Sequence, residues 1–309
     1  MKLAEPKLEP NPPVRLTHMS ANLETVVVLA AGEGTRMKST TPKVLHEVAG
    51  RTLVAHVLSA VNSLKPKHVR VVVGAGREAV EAHLAQVAPG VTTVFQERRG
   101  GTGHATQLAL AGKDISGTIL ILAGDTPLLT GESLQQLLNL HHAGGFTASV
   151  LTAEHPEPTG YGRIVRGDDG SLLRIVEERD ADDFVKAIYE VNSGVYAFDA
   201  KALSGAIGKL STDNSQGELY LTDVIEVLAS MGHHIGSHTA PANEVSGVND
   251  RWQLAMAERE VRCRINMAWL ISGVTMLDPQ HTFIDATVKI GKEVTLLPGT
   301  ILQGNTEIG

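Results

Sequence analysis

Between Leu23 and about Asp250 the apolar positions alternate between two rhythms. Short continuous runs, Thr25 to Leu29, Val69 to Val73, Thr92 to Phe95 and Thr118 to Leu122, read as strands buried on both faces. Between the first two, Leu53, Val54, Val57, Leu58 and Val61 recur at helical spacing. This alternation predicts an α/β domain with a mostly parallel sheet covered on both faces. Ligands of such sheets bind beyond the carboxyl ends of the strands.

After Val248 the rhythm changes. DRWQLAMAEREVRCRINMAWLIS contains neither glycine nor proline, which predicts a linker helix over 252–272. Beyond Gly273, Ile284, Ile290, Leu296, Leu302 and Ile308 are spaced by six, and Val288, Val294, Thr300 and Thr306 each follow one of the first four by four residues. A six-residue apolar repeat with β-branched partners predicts a left-handed parallel β-helix, one hexapeptide to each flat face. An irregular β tail with chance spacing is the bland alternative. Solenoid coils need stacked neighbours, so 273–309 is expected to be the truncated start of a longer domain. At the other end, MKLAEPKLEPNPPVRLTHMSAN holds four prolines and no periodicity, and a disordered tail is expected over 1–22.

Composition narrows the partners. A formal net charge of -7, with no basic run longer than two residues, argues against nucleic-acid or anionic-membrane binding, which clustered Lys and Arg dominate. The single cysteine, Cys263, cannot form an intrachain disulfide, and no apolar run resembles a secretory segment or a bilayer span. A reducing cytoplasmic setting is expected. Apolar content of 42% is ample for a core without staples.

The first strand runs into LAAGEGTRMKSTTPKVL, residues 29 to 45. A glycine-containing loop in that place usually handles phosphate. The P-loop pattern nearly fits Gly32 to Ser39, but Met37 stands where a second glycine must let backbone approach phosphate. A dinucleotide pattern competes elsewhere: Gly74-Ala75-Gly76-Arg77-Glu78-Ala79 follows a strand and opens a helix, with Glu97 about 20 residues on. Alone, that signal is weak. A tight turn carrying two solvated cations, Arg36 and Lys43, is the bland reading of the first loop.

Taken whole, Leu29 to Met37 followed by Pro42-Lys43-Val44-Leu45 resembles the signature of sugar-nucleotide pyrophosphorylases. Further stretches occur in the order expected of that family: Gln96, GTGHA from Gly101, Ala123-Gly124-Asp125, GYGRI from Gly160, IVEERDA from Ile175, EVNSGVYAFD from Glu190, GELYLTDVI from Gly217 and SGVNDR from Ser246. With the helix and hexapeptides, the chain from Leu23 to Gly309 resembles the bacterial N-acetylglucosamine-1-phosphate uridyltransferases, which are bifunctional. The resemblance implies a Rossmann-like nucleotidyltransferase domain over 23–251, then the linker helix and first coils of the β-helix.

It also implies roles. Leu29, Ala30, Ala31, Gly32, Lys43, Gln96, Gly101, Thr102, Ala123, Gly124 and Asp125 would contact the nucleotide, with Gln96, Gly101 and Thr102 at the uracil. Read by itself, Gln96 is a solvated glutamine. Gly162, Glu177, Asn192 and Asn249 would meet the sugar phosphate. Arg36 and Lys43 would stabilise phosphates, and Asp125 and Asn249 would hold Mg²⁺. The residues themselves leave part of this open: Thr130 is the better cap for the helix after Asp125, whereas Asn249 and Asp250 compete to cap the long helix.

The thirteen histidines form no H-E-x-x-H, there is no G-x-S-x-G elbow, and Cys263 lies inside the expected helix. A protein nucleophile is not needed if the attacking group is a sugar phosphate oxygen. The expected reaction is Mg²⁺-dependent in-line attack of N-acetylglucosamine 1-phosphate on UTP, giving UDP-N-acetylglucosamine and pyrophosphate. The resemblance adds acetylation of glucosamine 1-phosphate from acetyl-CoA and a homotrimer in the full-length protein, with no acetyl transfer from the first coils alone. Two alternatives stand beside it: a pyrophosphorylase for another sugar or nucleotide, and a non-catalytic nucleotide-sugar-binding protein. An NAD-dependent oxidoreductase is third.

Overall fold

The computed structural model describes residues 23–112 and 115–309, so the expected tail over 1–22 lies outside the described residues. The chain runs from β1 (Leu23–Ala30) through a small hairpin, β2 (Glu47–Val48) and β3 (Arg51–Thr52), into α1 (Leu53–Ser63). Then follow β4 (His68–Val73), α2 (Arg77–Val87), β5 (Thr92–Phe95), α3 (Gly101–Leu110), β6 (Thr118–Ala123) and α4 (Gly131–Ala143). The four expected strands are all present, each extended by at most two residues at either end. Thr130 caps α4, its hydroxyl accepting from Ser133 N at 3.2 Å.

The less regular half holds β7 (Ala148–Glu154), β8 (Arg163–Arg166), β9 (Leu172–Val176), α5 (Asp183–Lys186), β10 (Glu190–Asp199), α6 (Ala200–Ile207), α7 (Asp223–Ser230) and β11 (Ile235–Thr239). The sheet is ordered β11, β7, β10, β6, β1, β4, β5, with β8 attached at β10 and β9 paired to β8. Strands β6, β1, β4 and β5 are parallel, and β10 runs against both β6 and β7. The fold is thus Rossmann-like with a mostly parallel sheet in which β10 and β9 are reversed.

Period-two alternation along these strands builds two cores. Val26, Val28, Val71, Val73, Leu120 and Leu122 face α1, α2 and α4, whereas Val27, Val72, Ile119 and Ile121 face α3, α6 and α7. This explains the continuous apolar runs in the sequence, because each face is covered.

Helix α8 (Arg251–Ile271) is 21 residues long. It begins one residue earlier than expected because Asp250, accepting from Gln253 N at 2.8 Å, takes the cap position. Its Ala257 and Val261 pack on Met37, Val48, Ala49, Leu53 and Leu128. Met37, the residue that breaks the P-loop pattern, is therefore a buried anchor for the loop after β1.

Past α8 come β12 (Thr275–Met276), β13 (Phe283–Ile284), β14 (Lys289–Ile290), β15 (Thr295–Leu296), β16 (Ile301–Leu302) and β17 (Glu307–Ile308). They pair in parallel as β12 with β15, β13 with β16 and β14 with β17, so the chain coils with three short strands to a turn. Ile284, Val288, Ile290 and Leu296 fill the coil and meet Trp269 and Leu270 of α8. The coil touches the first domain at the β2–β3 hairpin, where Ala286 N donates to Ala49 O at 2.9 Å. No helix among the described residues is long and apolar enough to cross a membrane.

Candidate active site

The carboxyl ends of β1 and β6 lie side by side, and Gly124 N donates to Leu29 O at 2.9 Å, tying their loops together. Beyond them opens a cavity of about 420 Å³. Its wall carries Leu29, Ala30, Ala31, Gly32 and Lys43 from the first loop, Gln96, Gly101 and Thr102 from the approach to α3, and Ala123 and Asp125 after β6. Glu177 and Asn192 line the far side. A Cβ built on Gly32 would touch nothing in the protein, so glycine there keeps the cavity open rather than relieving a clash.

The strongest contacts join segments far apart in sequence. Lys43 Nζ donates to the Asp125 carboxylate and, at 3.0 Å, to Asn249 Oδ1. Both charged side chains are mostly buried, at 12% and 18% exposure. Because Asp250 serves as the cap of α8, the side chain of Asn249 is released to face Lys43. A carboxylate and an amide oxygen thus already hold one cation between them. The same oxygen pair is chemically suited to a hard divalent cation that completes its shell with phosphate and water.

On the far side, Asn192 is fixed from three directions. Its backbone N–H donates to Gly162 O at 2.8 Å, its Oδ1 accepts from Gly194 N at 3.1 Å, and its Nδ2 donates to the Tyr196 hydroxyl at 2.7 Å. Gly162 is not in the cavity wall, but a Cβ on it would come within 3.0 Å of Ile175 and 3.6 Å of Glu177 Oε2, so it sets their spacing. Glu177 accepts from Thr222 Oγ1 at 3.1 Å, and its carboxyl is pushed up chiefly by desolvation, with Asp223 and Asp180 adding repulsion. Behind Glu177 lies a second cavity of about 480 Å³, where Asp180, Asp213, Asp223 and Glu226 outnumber Arg174 and Lys209. That mostly acidic wall is poorly suited to a polyphosphate, and the first cavity, at the carboxyl ends of the parallel strands, is the candidate site.

Several expected residues stand apart. Arg36 is exposed on a single turn (Thr35–Met37), outside the cavity wall and without an ion pair among the described residues. Gly124 and Asn249 act from behind the wall rather than in it. The dinucleotide-like glycines serve packing. A Cβ on Gly74 would lie 2.5 Å from Ala31 O, and one on Gly76 would lie 2.4 Å from Pro42, so both let α2 press against the back of the loop after β1. Neither lines the cavity.

Other wall residues carried no warning in the sequence. Glu33 and Arg99 form an ion pair beside the cavity, and Glu218, Leu221 and Thr222 come from GELYLTDVI. That stretch marks the family by its order, but nothing local says that it closes a cavity.

A cavity at the ends of parallel strands, with a small-residue loop and convergent lysine, carboxylate and amide, defines a nucleotidyltransferase: the chain belongs to the MobA-like NTP transferase family, whose model matches residues 26–191. More particularly, it belongs with proteins named bifunctional protein GlmU. That of Streptomyces avermitilis is 51% identical over 288 residues, covering 92% of this chain and 60% of the relative. That of Cutibacterium acnes is 47% identical over 300 residues, covering 93% of this chain and 70% of the relative. The chain thus spans about 60% of the length of most of these relatives. Among solved structures, UDP-glucose pyrophosphorylase complexed with UDP-glucose superposes with a TM-score of 0.62 at 15% identity, covering 78% of this chain and 99% of that one, a likeness of fold.

Proposed function

We propose that this chain joins UTP to N-acetylglucosamine 1-phosphate, releasing pyrophosphate and UDP-N-acetylglucosamine. The observation that carries this reading is the meeting of Lys43, Asp125 and Asn249 at one end of a cavity whose other walls hold Gln96 and the Glu177–Asn192 pair. The relatives' family and identity favour the same substrates.

In this mechanism an anionic oxygen of the sugar phosphate attacks the α-phosphorus of UTP. The bond to the bridging oxygen breaks, and pyrophosphate leaves with the electron pair. No protein base is required, because the nucleophile is already ionised at neutral pH. The protein aligns the two anions and offsets their charge. Lys43 would meet the phosphates, backbone amides of residues 29–32 would follow the triphosphate, and Glu177 and Asn192 would take sugar hydroxyls and the N-acetyl group. Asp125 and Asn249 would hold Mg²⁺, which neutralises phosphate charge when bound. Arg36, exposed as it is, would reach a phosphate only from outside the wall.

We also propose the division into 23–251, the α8 linker and a coil from 273 that begins a left-handed β-helix. Its 18-residue pairing register between Phe283 and Ile301 and between Lys289 and Glu307 supports three hexapeptides per turn. Acetyl transfer from acetyl-CoA and trimer assembly would belong to further coils of the full-length protein, in the cytoplasm.

The test is pyrophosphate release across a panel of sugar phosphates and nucleoside triphosphates, with and without Mg²⁺. N-acetylglucosamine 1-phosphate with UTP should be preferred, and Asp125→Ala should abolish release while keeping its circular dichroism. Full turnover by Asp125→Ala at saturating Mg²⁺ would sink the metal assignment, and preference for another pair would replace the substrates.

A further inference from the structure

We infer that His104 is a positioning residue that sets base selectivity, by holding the Gln96 amide with its oxygen toward the nucleotide cavity. The inference rests on the uridine-nucleotide reading above and assigns part of its selectivity to a side chain outside the cavity wall.

Gln96 follows β5, and its backbone N–H donates to Val73 O at 2.8 Å, which fixes where its side chain starts. Its Nε2 lies 3.1 Å from Gly101 O and 3.1 Å from His104 Nδ1. A backbone carbonyl can only accept, so the nitrogen of the amide must face Gly101. The second N–H then points to His104 Nδ1, which accepts it when the imidazole is neutral with its proton on Nε2. Both donors of Gln96 are used within the protein, and its Oε1 is the polar atom left for a ligand.

The two acceptors are themselves held. Leu219 N donates to Gly100 O at 2.8 Å and Gly103 N donates to Leu219 O at 2.7 Å, clamping the start of α3 to the 218–219 segment. Gly100 has room for no side chain: a Cβ there would lie 2.6 Å from His104 Nδ1 and 2.8 Å from His104 Cβ. The absent side chain is what lets the imidazole fold back over the helix start toward Gln96. Two independent features, a hydrogen bond and a steric requirement, therefore converge on the same ring position.

The chemical consequence follows from base edges. Uracil and thymine present an N3–H donor between two carbonyls, whereas cytosine presents a bare N3 lone pair beside an amino group. A fixed amide oxygen accepts from the first and repels the second. The first-turn amides of α3, at Gly101 and Thr102, have no intrahelical partner and suit a flanking carbonyl. If the Gln96 amide were free to rotate, the same position would accept either pyrimidine.

The experiment measures initial rates of pyrophosphate release with UTP or CTP at saturating N-acetylglucosamine 1-phosphate and Mg²⁺. It compares wild type, His104→Phe, which keeps a ring without the acceptor, His104→Asn, whose oxygen replaces Nδ1, and Gly100→Ala. His104→Phe and Gly100→Ala should each raise KM for UTP about tenfold, the scale of losing one hydrogen bond and leaving its donor unpaired. The UTP preference over CTP should fall by a similar factor, KM for the sugar phosphate should hold, and His104→Asn should recover most of the loss. A UTP-selective wild type whose His104→Phe variant keeps the same KM and base preference overturns this inference alone. So does a His104→Asn variant as impaired as His104→Phe. A wild type inert with uridine nucleotides overturns the functional reading and this inference together.

Discussion

Replacing Lys43 with methionine should change two properties in opposite directions. The ammonium of Lys43 is paired with Asp125 and bonded to Asn249, the oxygens proposed to hold a divalent cation. A metal entering the nucleotide-free protein must displace it. Unit charges 4 Å apart attract by about 4 kcal/mol at an effective dielectric near 20. Water reaching side chains that are 12% and 18% exposed reduces this, so we take about 1.5 kcal/mol as the cost of displacement, close to tenfold in Kd. Lys43→Met should then bind Mn²⁺, titrated by electron paramagnetic resonance without nucleotide, about tenfold more tightly than wild type. Turnover should move the other way, falling about 10²- to 10³-fold, because a cation aimed at the reacting phosphates is lost. Slower turnover with unchanged Mn²⁺ affinity would refute the shared position. It would mean that the lysine and the metal do not compete for Asp125 and Asn249.

Arg163 is almost wholly buried, donating to Tyr161 O and to Ile188 O at 3.1 Å while pairing with Glu178 at 2.9 Å. Arg163→Met should lower unfolding free energy in urea by about 3 kcal/mol, since it leaves the carbonyls of Tyr161, Ile188 and Lys186 without their donor and removes the partner of the half-buried Glu178; Arg163→Lys should recover only part. The carboxyl of Asp223 is pushed up to about 6, mainly by desolvation and then by Glu226 and Asp180. A carboxyl more easily ionised when unfolded contributes stability fully present below its ordinary pKa and lost as pH rises through about 6. Asp223→Asn should therefore melt higher than wild type at pH 7 and alike at pH 4, and equal shifts at both pH values would count against a raised carboxyl pKa.

The sequence by itself determined the elements and the family. Periodicity is a local record of which faces are buried, so four strands, α1, α4 and the long α8 could be read from spacing and caps, and the motif order named the relatives. Local pattern does not say which buried face meets which. The reversed direction of β10 is an example, since a central strand covered on both faces reads the same either way. Gly74 and Gly76 looked like ligand glycines because close backbone approach leaves the same mark whether the neighbour is a phosphate or Ala31 and Pro42. Only the tertiary structure decided the rest. It made Asp250 the cap and freed Asn249, and it brought Lys43 to partners 82 and 206 residues away. It left Arg36 in solvent and set His104 behind Gln96. These are matters of distance between segments that share no local pattern, and distance of that kind exists only once the sheet has closed.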